Sequence, residues 1–162
     1  MPFETDRLIF RSPIPDDAEF YASLENNPQV KRFLGGPSGH SADYYRESLT
    51  LPRRKDAVAT LTVIHRDSGA LVGRAGILPL GNQEIEVHCV LSEEERGKGF
   101  GLEIVTGLVK LCKQLFPGKK IAGKVHPDNA ASICITKKLG FREEGLTQSD
   151  GYDNGFWKLI LE

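Results

Sequence analysis

Glu95-Arg96-Gly97-Lys98-Gly99-Phe100-Gly101 (ERGKGFG, residues 95–101) places three glycines at alternate positions directly behind an arginine. Glycine loses more backbone freedom on folding than any other residue, so this density calls for a reason. Upstream, Glu84 to Leu91 reads as a strand. Downstream, Leu102, Val105, Leu108, Val109, Cys112, Leu115 and Phe116 recur at helical spacing up to Pro117-Gly118. The glycines therefore occupy a strand-to-helix junction, which has three readings. A plain turn is one. A nucleotide loop is the second, and its patterns fail. GxxxxGK[ST] is approached only from Gly118 to Gly123-Lys124, where Val125 replaces the required hydroxyl. The third glycine of GxGxxG would fall on Leu102 or Ile104. The third reading is a pyrophosphate cradle of another kind. Bare backbone lets a ligand approach consecutive N–H groups and the positive end of the following helix. Arg96 and Lys98 add local positive charge.

Outward from the junction, Arg7 to Arg11 reads as a first strand, stopped by Pro13 and Pro15. Pro15-Asp16-Asp17 opens a helix carrying Ala18, Tyr21, Ala22 and Leu24, ended by Asn26-Asn27-Pro28. A second short helix is expected from Pro28 to Leu34, before Gly35-Gly36-Pro37. A third runs from Ser41, its cap, to Leu51. Ala57 to His65, Ala70 to Leu80 and Glu84 to Leu91 form an antiparallel meander with turns at 66–69 and 81–82. Lys119 to His126 is a strand. Asp128 or Asn129 caps a helix stopped at Gly140, and Phe141 to Leu146 and Phe156 to Leu161 are closing strands. This order predicts a mixed α/β fold, with about seven mostly antiparallel strands and about four helices. It alternates too irregularly for a doubly wound sheet. One domain over residues 1–162 is expected, since no repeat or long linker interrupts the chain.

Composition narrows the function classes. The 162 residues are 40% hydrophobic and 27% charged with a formal net charge of -1, so no general polyanion surface is expected. Cys89, Cys112 and Cys134 fit neither a zinc site nor a CxxC pair, and the four histidines have no metal-binding spacing. No metal, nucleic-acid partner or membrane association is expected. The charged N-terminus does not read as a signal peptide, which points to the cytoplasm. A monomer or homodimer is expected on general grounds.

Arg96-x-x-Gly99-x-Gly101 resembles the Arg/Gln-x-x-Gly-x-Gly/Ala acyl-CoA loop of the GCN5-related N-acetyltransferase (GNAT) superfamily. The likeness extends over nearly the whole chain, in the branch containing the ribosomal-protein N-terminal acetyltransferases. Thr5 to Arg11 resembles that branch's opening strand, and Asn27-Pro28-Gln29-Val30 through Phe33-Leu34-Gly35 its second helix. Asn129-x-x-Ser132 leading to Lys138-Leu139-Gly140-Phe141 resembles its closing motif. The resemblance implies a splayed strand pair holding acetyl-CoA. Val90 and Leu91 would pair with pantetheine, the loop Arg96, Gly97, Lys98, Gly99, Phe100 and Gly101 would hold the pyrophosphate, and Asn129 and Ser132 would line the arm.

The implied reaction is direct attack of a primary amine, on a protein N-terminus or a small molecule, on the thioester. An α-amine with pKa near 8 is neutral about one time in ten at pH 7, and a lysine amine only about one in several thousand. Glu84, Glu86 and His88 share one strand face if no bulge intervenes. Glu86 matches a position often acidic in the branch, whereas His88 stands where glycine is common. Thr136 occupies the position where many such enzymes carry a tyrosine acid; the resemblance to this branch implies that the serine of Asn-x-x-Ser, Ser132, is the acid, and Tyr152 is a further candidate for that step or for contact with the acceptor. Asp150, Asp153 and Glu25 are candidates to attract a cationic amine, and residues 26–55 and 147–155 are the expected acceptor walls. A non-catalytic acyl-CoA-binding sensor or scaffold is the alternative function.

Overall fold

The computed structural model describes residues 3–51, 59–81, 83–147 and 155–162. Along the chain these form β1 (Phe3–Glu4), β2 (Leu8–Arg11), α1 (Ala18–Asn26), α2 (Ala42–Thr50), β3 (Ala59–His65), β4 (Leu71–Leu80) and β5 (Glu84–Leu91). Then come α3 (Phe100–Leu115), β6 (Lys120–Val125), α4 (Ala130–Lys138), β7 (Arg142–Leu146) and β8 (Trp157–Leu161). The strands build one sheet in the order β1-β2-β3-β4-β5-β6-β8-β7. Only β5 and β6 run parallel among these neighbours. The expected mixed sheet is therefore present, with one short edge strand the sequence reading left out. Phe3 of β1 stacks on Phe10 at 4.1 Å, which fastens that edge.

One expected element is not a helix. Residues 28–34 form successive turns, with Lys31 N–H donating to Asn27 (3.0 Å) and Gly36 N–H to Lys31 (3.1 Å). Seven residues barely repay helix nucleation. The Asn27 side chain also accepts from the amides of Gln29 and Val30, and Gly35 and Gly36 then reverse the chain at φ +85° and +83°. The other local expectations fare better. Ser41 caps α2 by accepting from Tyr44 N–H (3.2 Å), and Asn129 caps α4. Pro15–Asp17 is a 3-10 turn that leads into α1.

The core explains the layering. Alternate residues Leu8, Phe10, Leu61, Val63, Ala75, Ile77, Ile85 and Val87 present one sheet face to Phe100, Ile104, Leu108 and Cys112 of α3. α1 lies on the opposite face, where buried Tyr21 hydrogen-bonds Thr62 of β3 at 3.1 Å. Two of the central strands part company at one end. β5 pairs with β4 along its whole length, from Glu84 to Leu91, but with β6 only from Glu84 to Glu86, opposite Lys120 to Ala122. β6 continues to Val125 against β8. The backbone of Val87 to Leu91 therefore has β4 on one side and an open wedge on the other.

Candidate active site

The glycine junction stands at the mouth of this wedge. Gly97 and Gly99 adopt φ of +77° and +82°, while no described non-glycine residue has positive φ, so the dihedral sign alternates through the loop. Such alternation turns successive N–H groups toward one concavity. A Cβ at Gly97 would meet nothing within 4 Å, so this backbone is open. Gly99 is the N-cap of α3 and supplies no side-chain acceptor. The first N–H groups of the helix have no intrahelical partner and carry its positive end. The side chains of the motif, and the space at Gly101, are engaged elsewhere. Phe100 is buried in the core, so it offers only its backbone. Gly101 lies inside α3, where a Cβ would come within 2.9 Å of the Ile135 methyl of α4, and its smallness serves helix packing. Lys98 is exposed and pairs with Glu95 at 3.2 Å. Arg96 reaches away from the glycines and donates to the Gln29 carbonyl at 3.2 Å.

The strand beside the wedge presents an ordered polar face. The β4–β5 ladder has no register shift, so Glu84, Glu86, His88 and Val90 do share one side. Glu84 pairs with Lys158 at 2.8 Å, and Glu86 with Lys124 at 3.4 Å. The His88 imidazole covers Gly76 of β4 closely enough that a Cβ there would overlap it. Burial, and secondarily the Arg74 guanidinium, lower the His88 pKa to about 4 against an opposing pull from Glu25. His88 is therefore neutral at pH 7.

Beneath His88 lies a group of charges the sequence reading did not assemble. Glu25 of α1 is buried and paired with both Lys31 (2.7 Å) and Arg74. Burial alone would raise its pKa, but Arg74 and then Lys31 outweigh that and hold it below the usual carboxylate range. Glu25 is thus compensated by two cations rather than left to draw in a cationic amine. The one sequence signal was Arg74 itself, a charge inside an otherwise apolar strand.

The turn segment after α1 spans the wedge. Val30 and Leu34 pack with Leu24 against Val90 at the end of β5. Phe33 lies 4.9 Å from the His126 ring just past β6, and His126 lies 5.2 Å from Phe156. Asn27 also donates to Glu93 (3.0 Å), ahead of the glycine loop. Residues 27–34 of the expected acceptor wall thus lie across the open ends of β5 and β6. Tyr152, Asp150 and Asp153, like residues 52–55 of that wall, lie outside the described residues.

α4 begins where β6 ends. The Asn129 side chain accepts from Ser132 N–H at 3.2 Å, and Ser132 is half-buried in the first turn. Thr136 is buried and donates to the Ile133 carbonyl (2.9 Å), while Lys137 and Lys138 are exposed. Among the described residues no cluster of His, Cys, Asp and Glu could hold a metal, and no helix is long and apolar enough to cross a membrane.

Comparison with known proteins agrees with this geometry. Residues 7–142 match the family model described as "Acetyltransferase (GNAT) domain". Relatives include the "Uncharacterized N-acetyltransferase YoaA" of Bacillus subtilis (strain 168), 27% identical over 94% of this chain and 89% of its own length. The "Putative ribosomal N-acetyltransferase YdaF" of the same organism is also 27% identical, over 93% of this chain and 86% of its own. Among solved structures, a GNAT-family acetyltransferase from Bacillus anthracis superposes with a TM-score of 0.81 at 18% identity, covering 99% of this chain and 96% of that one. A spermidine N-acetyltransferase from Vibrio cholerae, in complex with CoA and spermine, superposes with a TM-score of 0.79 at 18% identity, covering 97% and 96%.

Proposed function

The chain belongs to the GNAT acetyltransferase family, and from that premise we propose that it moves acetyl from acetyl-CoA to a primary amine by direct attack on the thioester. The observation that carries this reading is the wedge between β5 and β6, with the uncapped start of α3 and the positive-φ glycines Gly97 and Gly99 at its mouth. In this reading those loop amides hold the pyrophosphate. The free edge of Val90 and Leu91 pairs with pantetheine, and Asn129 lines the arm. The amine comes from the α1 face, beneath the roof formed by Val30 to Phe33. A backbone N–H near Leu91 stabilises the oxyanion as the C–N bond forms.

Proton movement falls to the β5 face and α4. His88 is neutral and, with its pKa lowered to about 4, a weak proton acceptor; together with Glu86 it lines the path by which the amine proton leaves. Ser132 donates to the departing thiolate, and Tyr152 is the second candidate for that step or for contact with the acceptor. The acceptor is a protein N-terminus or a small amine. An α-amine needs the least help, being neutral about one time in ten at pH 7. Thiol release from acetyl-CoA is measured against N-terminal peptides, amino acids and polyamines. Turnover on at least one class is expected, and tight CoA binding with no turnover on any primary amine would overturn the proposal.

A further inference from the structure

Arg7 stands just ahead of β2, far in sequence from the glycine loop, yet it touches that loop at two points and the helix behind it at a third. Its guanidinium donates to the Lys98 carbonyl at 2.9 Å, lies over the Phe100 ring at 4.5 Å and pairs with Glu103 in the first turn of α3 at 2.7 Å. Glu103 is fixed in turn by the Thr5 hydroxyl (2.5 Å) and the Arg7 amide (2.8 Å). Burial would raise the Glu103 pKa, but these hydrogen bonds outweigh it and hold the carboxyl below its usual range. Glu103 is therefore an anion close to the site proposed for a diphosphate.

We infer that Arg7 is a positioning residue for the acyl donor: it aims the amides of the glycine loop and neutralises the carboxylate behind them. In a planar trans peptide the carbonyl and the N–H of one unit point in opposite directions. Drawing the Lys98 carbonyl toward Arg7 therefore turns the Gly99 N–H away from it, toward the open side of the loop. The contact with the buried Phe100 ring holds the next residue but one, so both flanks of Gly99 are tied to Arg7. Pairing with Glu103 cancels a charge that would otherwise repel the ligand through the first turn of α3. Arg7 is itself nearly half exposed, and the more buried Glu103 keeps its hydrogen bonds from the Thr5 hydroxyl and the Arg7 amide when the guanidinium is removed. Its main effect thus falls on the loop's aim rather than on stability.

This inference rests on the reading of residues 96–101 as the pyrophosphate loop, and the experiment separates the two. CoA binding to the full chain is measured by titration calorimetry for wild type, Arg7→Met, Gly99→Val and Cys112→Ala, with thermal unfolding of each. Met can still cover Phe100 but donates no hydrogen bond. Cys112 is buried in α3, apart from the loop, and its truncation serves as a purely destabilising control. Arg7→Met is expected to raise the Kd for CoA about tenfold with little change in Tm, the scale of losing hydrogen bonds to a charged group. Cys112→Ala is expected to lower Tm while leaving Kd unchanged. Wild-type affinity in Arg7→Met, or equal weakening in Arg7→Met and Cys112→Ala, overturns the inference while Gly99→Val still weakens binding. Unchanged affinity in Gly99→Val overturns the loop reading, and this inference with it.

Discussion

The two sides of the wedge are built differently. The mouth proposed for the donor's pyrophosphate is a short contiguous run in which backbone dominates: two glycines at positive φ and the start of one helix. The face proposed for the acceptor is made of side chains from separate segments. Glu25 of α1, Lys31 and Phe33 of the following turns, Arg74 of β4, His88 of β5 and His126 after β6 meet only in the folded chain. A backbone site depends on local conformation and tolerates few residue types. A side-chain site depends on pairing and can be rebuilt for another ligand without changing the fold.

Substitutions on the two sides should therefore fail differently. The largest effect is expected from Glu25→Ala, which strands Lys31 and Arg74 with little solvent. Chemical denaturation should show a loss of about 3 kcal/mol, the scale of breaking a buried pair. A loss within a few tenths would mean that the acceptor side is not held by this triad. Gly99→Val should come next, through ligand affinity rather than stability. A β-branched residue at positive φ is strained, and CoA binding should weaken by about thirtyfold, roughly 2 kcal/mol. Ser132→Ala should lower kcat about tenfold with little change in KM if the hydroxyl serves the leaving thiolate. An unaltered kcat would pass that role to Tyr152 or water.

Smaller effects sharpen the contrast. His88 has a lower pKa folded than unfolded, so the unfolded chain binds more protons between about pH 4 and 6.5 and stability rises with pH across that window. The contribution is lost as pH falls from 6.5 toward 4. His88→Gln should flatten that part of a pH–stability profile, and the carboxylate losses below it should remain. Gly101→Ala should change CoA affinity by less than about twofold, since the added methyl presses only on the flexible tip of Ile135 and meets Leu91 at an ordinary 3.7 Å contact. A large loss there would return Gly101 to the cradle.

The amino-acid sequence alone determined the order of the main strands and helices, the strand-to-helix junction and the cap at Ser41, and it narrowed the α4 cap to Asp128 or Asn129. Periodicity and capping act between residues a few positions apart, so their signals are local. The same locality misled at residues 28–34, where turns took the place of a helix because the Asn27 side chain and two glycines competed for the backbone. Only the tertiary structure told the glycines apart: Gly97 and Gly99 adopt positive φ, whereas a Cβ at Gly101 would crowd Ile135 of α4. Only it placed Arg7 behind Lys98, and Arg74 against Glu25 across 49 positions of sequence. The reason is physical: a charge on a strand shows that something must pair with it when it is buried, but the partner is set by how the sheet and α1 pack, which no local pattern encodes.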